Sequence, residues 1–173
     1  MSERGAMALL RSGIARYAAG DLVPRACERT GFDGGARWIA RAMGRALSDG
    51  DARRAGRLGA LKYATALGVA GGGAAVACRV HVIVAMVVFV GAFYAVEVQG
   101  LFLFPLVALG ERAPWRRSRA LVAKGGGTLR AVVRVLPIAA YMIFAGPFRG
   151  FTRAWCEGCL AVMGWFAAAR RDA

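Results

Sequence analysis

"FVGAFYAVEVQGLFLFP" (residues 89–105) sets one carboxylate, Glu97, and one carboxamide, Gln99, inside an apolar run that starts at Val80 and meets no other charge before Glu111. An ionised acid in such surroundings is costly unless it is paired, so its setting decides what kind of chain this is. From Leu58 to Gly110 the only charged residues, histidine or carboxamide are Lys62, Arg79, His81, Glu97 and Gln99. A single helix over that stretch would be about 80 Å long against a hydrocarbon core of about 30 Å, so it must fold back at least once.

Composition points the same way. The chain has 173 residues, 58% of them hydrophobic, and carries 24 Lys and Arg against 10 Asp and Glu, a net charge of +14. High apolar content and high charge conflict in a soluble domain. They agree in a membrane protein whose spans take the apolar residues while anionic lipid headgroups take the arginines. Nucleic acid is the competing explanation for such basicity, but the arginines are dispersed around long hydrophobic runs and form no single stripe. The expected class is therefore an all-α integral membrane protein of three to four transmembrane or interfacial helices, preceded by basic amphipathic helices.

The expected turn is "CRVH" (78–81), giving a first span near 58–77, with Lys62 snorkelling to the interface, and a second near 82–107 ending at Pro105. In the first span Ala64, Gly68 and Gly72 recur at spacing four, a small-residue surface that admits a neighbouring helix, or else a merely flexible stretch. The segment 111–130 holds six basic residues against one acid and the first 62 residues hold twelve against six. Both fall on the cytoplasmic side by the positive-inside rule, which a hairpin between them also requires. A third span follows at about 131–148. The remainder, through "RAWCEGCLAVMGWFAAA", is either a short fourth span or a helix on the outer surface. The chain thus divides into a basic amphipathic segment (1–57), a hairpin (58–110), a basic cytoplasmic loop (111–130) and a terminal segment (131–173).

Residues 1–60 lack the long apolar core of a signal peptide, so the N-terminus is expected to be retained and cytoplasmic, in a bacterial inner membrane. In "GARWIARAMGRALS", Arg37, Arg41 and Arg45 recur at spacing four opposite Trp38, Ile39, Met43 and Leu47. That pattern suits a helix lying on anionic headgroups, or one packed on a protein partner with a solvated arginine face.

Under this topology Glu97 lies about 24 Å down the second helix, near the cytoplasmic end of the core, and Arg134 enters the third span at similar depth. Pairing them gives a structural clamp. The alternative makes Glu97 the proton or cation site of a small transporter.

Two further chemistries are open. "WCEGC" offers Cys156 and Cys159 as a Cys-x-x-Cys pair, and the topology sets Cys78 on the same outer face. In cysteine placement alone the chain resembles small four-helix membrane thiol oxidoreductases of the quinone-linked DsbB and vitamin K epoxide reductase kind. That resemblance implies Cys156 and Cys159 as the redox pair and Cys78 as a shuttle; buried inert thiols or one structural disulfide are the plainer alternative. "ACRVH" places an alanine one turn before His81 at a helix start, which would suit a pigment or haem ligand, whereas a boundary histidine is ordinarily a hydrogen-bonded one. With no complete catalytic motif, no assigned cofactor and no convergent titratable set, the expected role is non-enzymatic: an accessory or assembly subunit packed on a larger membrane partner or on itself.

Overall fold

The computed structural model describes residues 5–20, 22–28 and 30–171, so the ends of the terminal segments lie outside the described residues. Among the described residues the fold is all-helical, without strands. Its elements are α1 (Ala6–Ala19), α2 (Gly31–Ala42), α3 (Asp49–Ala77), α4 (Val82–Glu97), α5 (Leu103–Ala108), α6 (Pro114–Lys124), α7 (Gly127–Phe144), α8 (Gly146–Arg149) and α9 (Phe151–Arg171). Short 3-10 turns at Ala26–Glu28 and Val98–Gly100 complete it.

Local chemistry fixes the boundaries. Ser48 caps α3 by accepting the Asp51 N–H at 3.1 Å, and Asp49 and Asp51 place negative charge on the first turn, where the helix dipole favours it. Gly44 ends α2 with a positive φ of 71°, and the Arg45 N–H turns back to the Ala40 carbonyl at 2.9 Å. Pro114 opens α6, where its missing N–H costs nothing.

The chain reverses over Cys78–His81, and α3 and α4 form an antiparallel hairpin. Its inner seam is made of small residues: Ala66, Ala70 and Ala85 are buried, and a Cβ on Gly73 would lie 3.1 Å from Val88. Towards the turn most of its apolar surface is exposed. Of the 16 residues of α4 only Ala85 and Glu97 are buried, while Ile83, Met86 and Val87 are 62–67% exposed. Contiguous exposed apolar surface is the kind of feature that marks a contact surface for protein, ligand or lipid.

The remaining helices form a body at the hairpin's base. Its central helix is α9, which buries Ala154, Cys156, Glu157, Gly158, Leu160, Ala161, Met163, Trp165 and Phe166. Helix α1 crosses it so closely that a Cβ on Gly13 would sit 2.4 Å from the Glu157 carbonyl oxygen and 2.8 Å from the Ala161 nitrogen. Helix α7 meets α9 at Gly158 through Met142, and α2 joins through Trp38 against Trp155, ring centroids 5.6 Å apart. Phe102 anchors the chain leaving the hairpin, with both Trp165 and Phe166 at 5.4 Å.

Two segments are long and apolar enough to cross a membrane, Val82–Ala108 and Gly127–Phe144. The first coincides with the expected second span of 82–107; within it the α-helix gives way to a 3-10 turn at Val98–Gly100, and Leu103 and Pro105–Ala108 are buried against the body. The last helix departs from expectation, since α9 is 21 residues long, packed by α1 and α7, with Trp38 and Ile39 of α2 clustered against its Cys156, Leu160 and Met163. Its even interleaving of small and large apolar residues, not its hydropathy, makes it an interior helix.

Gly13→Ala is expected to cost about 2–3 kcal/mol, because backbone atoms block the new methyl group. Gly68→Ala faces open space and is expected to be neutral or to stabilise by up to about 1 kcal/mol through helix propensity. Chemical unfolding of both variants in mild detergent checks this; equal effects would contradict the packing described.

Candidate functional site

The most unusual chemistry lies where the hairpin meets the body. Lys62 of α3 and Glu97, the last residue of α4, form an ion pair with Nζ–Oε1 at 2.7 Å, and both residues are buried. Lys62 precedes Cys78 by sixteen residues and Glu97 follows His81 by sixteen, so an antiparallel hairpin brings them to the same height. The lysine stem is enclosed by the Val98–Gly100 turn: a Cβ on Gly100 would lie 2.7 Å from Lys62 Cδ and 3.0 Å from the Trp115 ring. Its ammonium group also stands 4.6 Å from the Tyr63 ring centre, and Tyr63 stacks on Phe32 at 5.1 Å. Just beyond, Gln99 Nε2 donates to Thr128 Oγ1 at 2.8 Å, tying the base to the start of α7. Glu97 Oε2 is buried without a hydrogen-bond partner. The arrangement therefore neutralises one acid with one base while leaving one acceptor unused.

This corrects the expected partner of Glu97. Arg134 stacks on Trp165, its guanidinium carbon 4.9 Å from the ring centre, on the side of α7 that packs against α9. Depth along separate helices placed Arg134 near Glu97; hairpin register, counted from the turn, selects Lys62. Lys62 does not snorkel, because Gly100 and Trp115 close over it.

The expected lipid-facing arginines are also separated. Arg37 pairs with Asp49 at 2.8 Å, and Arg41 makes two charge-assisted bonds to Glu28, at 2.8 and 2.7 Å, and one to the Val23 carbonyl at 3.0 Å. Arg45 lies beyond the helix because Gly44 ends it. The apolar side of α2, with Trp38 and Ile39 buried, is inside the protein, and the three arginines do not form one helical stripe.

Ala64 and Gly68 are exposed, as is Gly72, and the two glycines have nothing within 4 Å of an added Cβ. The α3 surface they form faces outward, away from the seam with α4.

Cys156 is buried and Cys159 half-buried on successive turns of α9, whereas Cys78 is exposed at the hairpin tip. Cys159 lies within electrostatic reach of Lys62 and Glu97, at the base, so the tip thiol is about 24 Å away by the rise of sixteen helical residues. The three thiols do not share a face. Burial pushes the Cys156 thiol up to about 12 and raises that of Cys159 as well, which leaves little thiolate for redox exchange at neutral pH. His81 caps α4, its Nδ1 accepting the Ile83 N–H at 3.1 Å. A neutral ring in that role carries its proton on Nε2 and offers no lone pair to a metal without giving up the cap. Among the described residues no group of three or more His, Cys, Asp or Glu could hold a metal ion.

Sequence reasoning passed over a second charged centre. Glu157, fully buried, accepts from the Tyr141 hydroxyl, from Arg149 Nη2 at 3.0 Å and from Arg153 Nε at 3.0 Å. It locks the turn between α7 and α9. The readable signal in the sequence is the Arg153–Glu157 spacing of four, which puts the two side chains on one face of a helix. Burial opposes ionisation of Glu157, but the Tyr141 and two arginine bonds prevail and hold its carboxyl below the ordinary value of 4.5. The Arg41 bond, against a smaller cost of burial, does the same for Glu28.

No protein-family model matches this sequence, and comparison with curated proteins and with solved structures gives no match.

Single replacement of Glu97 by Leu or of Lys62 by Met is expected to destabilise by about 3 kcal/mol, because each strands a buried partner. The Lys62→Met/Glu97→Leu double variant is expected near wild-type stability, and Glu97→Gln is expected to be additive with Arg134→Gln. Double-mutant cycles in detergent measure both; coupling of Glu97 to Arg134 in place of Lys62 would overturn the register. Because Glu28 and Glu157 have depressed carboxyl values in the fold, their stabilisation is present above pH 4.5 and is lost as pH falls through those values. Stability measured against pH below 4.5 is therefore expected to fall less steeply in Glu28→Gln than in the wild type; an unchanged slope would contradict it.

Proposed function

We propose that this chain is a non-enzymatic integral membrane protein of a bacterial inner membrane. The α3–α4 hairpin is its inserted element, and its role is that of an accessory or assembly subunit for a larger membrane complex. The observation that carries this reading is the bare hairpin: α4 buries only Ala85 and Glu97 of its 16 residues. From Lys62 to the turn is about 24 Å at 1.5 Å per residue, close to the thickness of a hydrocarbon core. The Lys62–Glu97 pair then sits at the level where the hairpin leaves the body, neutralised where a lone charge would be costly. The body, with its excess of arginine, lies on the cytoplasmic side with the N-terminus. The open Ala64, Gly68 and Gly72 face supports lateral packing against a partner helix, since small residues let backbones approach where lipid supplies no hydrophobic drive between helices.

A second reading keeps Glu97 as a proton-carrying site, and the unpartnered Oε2 favours it. That reading expects proton flux in proteoliposomes that Glu97→Gln abolishes; the accessory reading expects none.

The two exposed thiols test insertion. In sealed vesicles, a membrane-impermeant maleimide is expected to reach Cys27 from the body side and Cys78 only from the opposite side. Labelling of both from one side would overturn the inserted hairpin.

A further inference from the structure

Helix α6 presents arginines that the fold itself does not use. Its inner face is fixed: Pro114, Ser118, Leu121 and Val122 are buried, and Ser118 Oγ accepts the Phe102 N–H at 3.2 Å. Trp115 packs over Gly100 beside the Lys62 stem, which sets this helix at the hairpin's base. The outer face is then Arg116, Arg117 and Arg119, all exposed. Among the described residues none of the three has a carboxylate within ion-pairing distance, in contrast to Arg37 and Arg41, which have Asp49 and Glu28. The cluster extends through Arg112, whose carbonyl accepts from Arg54 Nη2 at 2.6 Å, bringing the first turns of α3 alongside.

Arg116 and Arg119, three residues apart, are like-charged neighbours on the helix surface with Arg117 beside them, and an external anion relieves that repulsion. Guanidinium forks match the oxygens of a phosphate diester, and an adjacent tryptophan is at home at headgroup depth. We propose that the outer face of α6 is a docking surface for anionic phospholipid headgroups, set directly beneath the point where the hairpin enters the bilayer. The proposal rests on the inserted hairpin and adds to it a lipid preference and the residues that hold it. Lipid is favoured over nucleic acid because Trp115 neighbours these arginines on the same helix, at the base of an apolar hairpin, a setting that acyl chains match and a polynucleotide does not.

The test uses the full chain in nanodiscs of phosphatidylcholine with and without phosphatidylglycerol, and measures enrichment of phosphatidylglycerol around the protein. Wild type is expected to enrich it, and R116Q/R117Q/R119Q to lower that preference by on the order of 10–100-fold at low ionic strength, with insertion into phosphatidylcholine unchanged. The charge-keeping R116K/R117K/R119K is expected to retain the preference within about threefold, which separates lost charge from lost fold. An undiminished preference in the glutamine variant would overturn the proposal, as would equal loss of binding to both lipids. Tighter binding of a random DNA duplex than of phosphatidylglycerol discs would assign the face to nucleic acid instead. Failure of the wild type to enter discs of either composition would remove the inserted hairpin itself, a distinct result.

Discussion

The buried contact of Lys62 with Glu97 is the constraint around which this fold is arranged. It closes the hairpin at equal distances from the turn, so it specifies the register of α3 against α4. An apolar seam of alanines and glycines could slip by a turn at little cost; a buried acid and base cannot, because either one displaced would be stranded. Gly100 and Trp115 complete the enclosure, and through them the base of the hairpin fixes α6 and the chain running into Phe102. The pair thus links an apolar projection to a charged body without leaving net charge at their junction.

The body applies the same logic at its other end. Glu157 gathers Tyr141, Arg149 and Arg153, so the turn between α7 and α9 is held by one buried carboxylate with every partner identified. Small residues set the distances: Gly13 admits the α9 backbone and Gly158 admits Met142. Such crossings tolerate no added carbon, whereas the outer face of α3 at Gly68 and Gly72 has open space. Close packing inside and vacancy outside distinguish the body from the hairpin.

Much of this was legible in the sequence where the signal is local. The helical class followed from composition and period, and "CRVH" marks the reversal because Arg79 and His81 interrupt an otherwise apolar stretch. Non-local choices were not legible. Arg134 was the expected base for Glu97 and Lys62 was expected to snorkel, and only counting residues outward from the turn brings Lys62 to Glu97. The arginine periodicity 37, 41, 45 was broken by Gly44, whose positive φ ends the helix, and two of the three found acids distant in sequence, at Asp49 and Glu28. Hydropathy likewise could not show that α9 is interior, since its burial depends on α1, α2 and α7 packing against it.

The proposed insertion has lipid covering the exposed part of the hairpin down to the Lys62–Glu97 level. A spin-label scan along α4 in bilayers, at Ile83, Met86, Val87 and Val90, measures it directly by comparing collisions with oxygen and with a water-soluble nickel complex. The account predicts oxygen-accessible, nickel-protected labels at all four positions and a sharp return to nickel accessibility on the outer face of α6. Nickel accessibility along the whole of α4 would contradict it, and would place the hairpin in water or in a solvated protein interface.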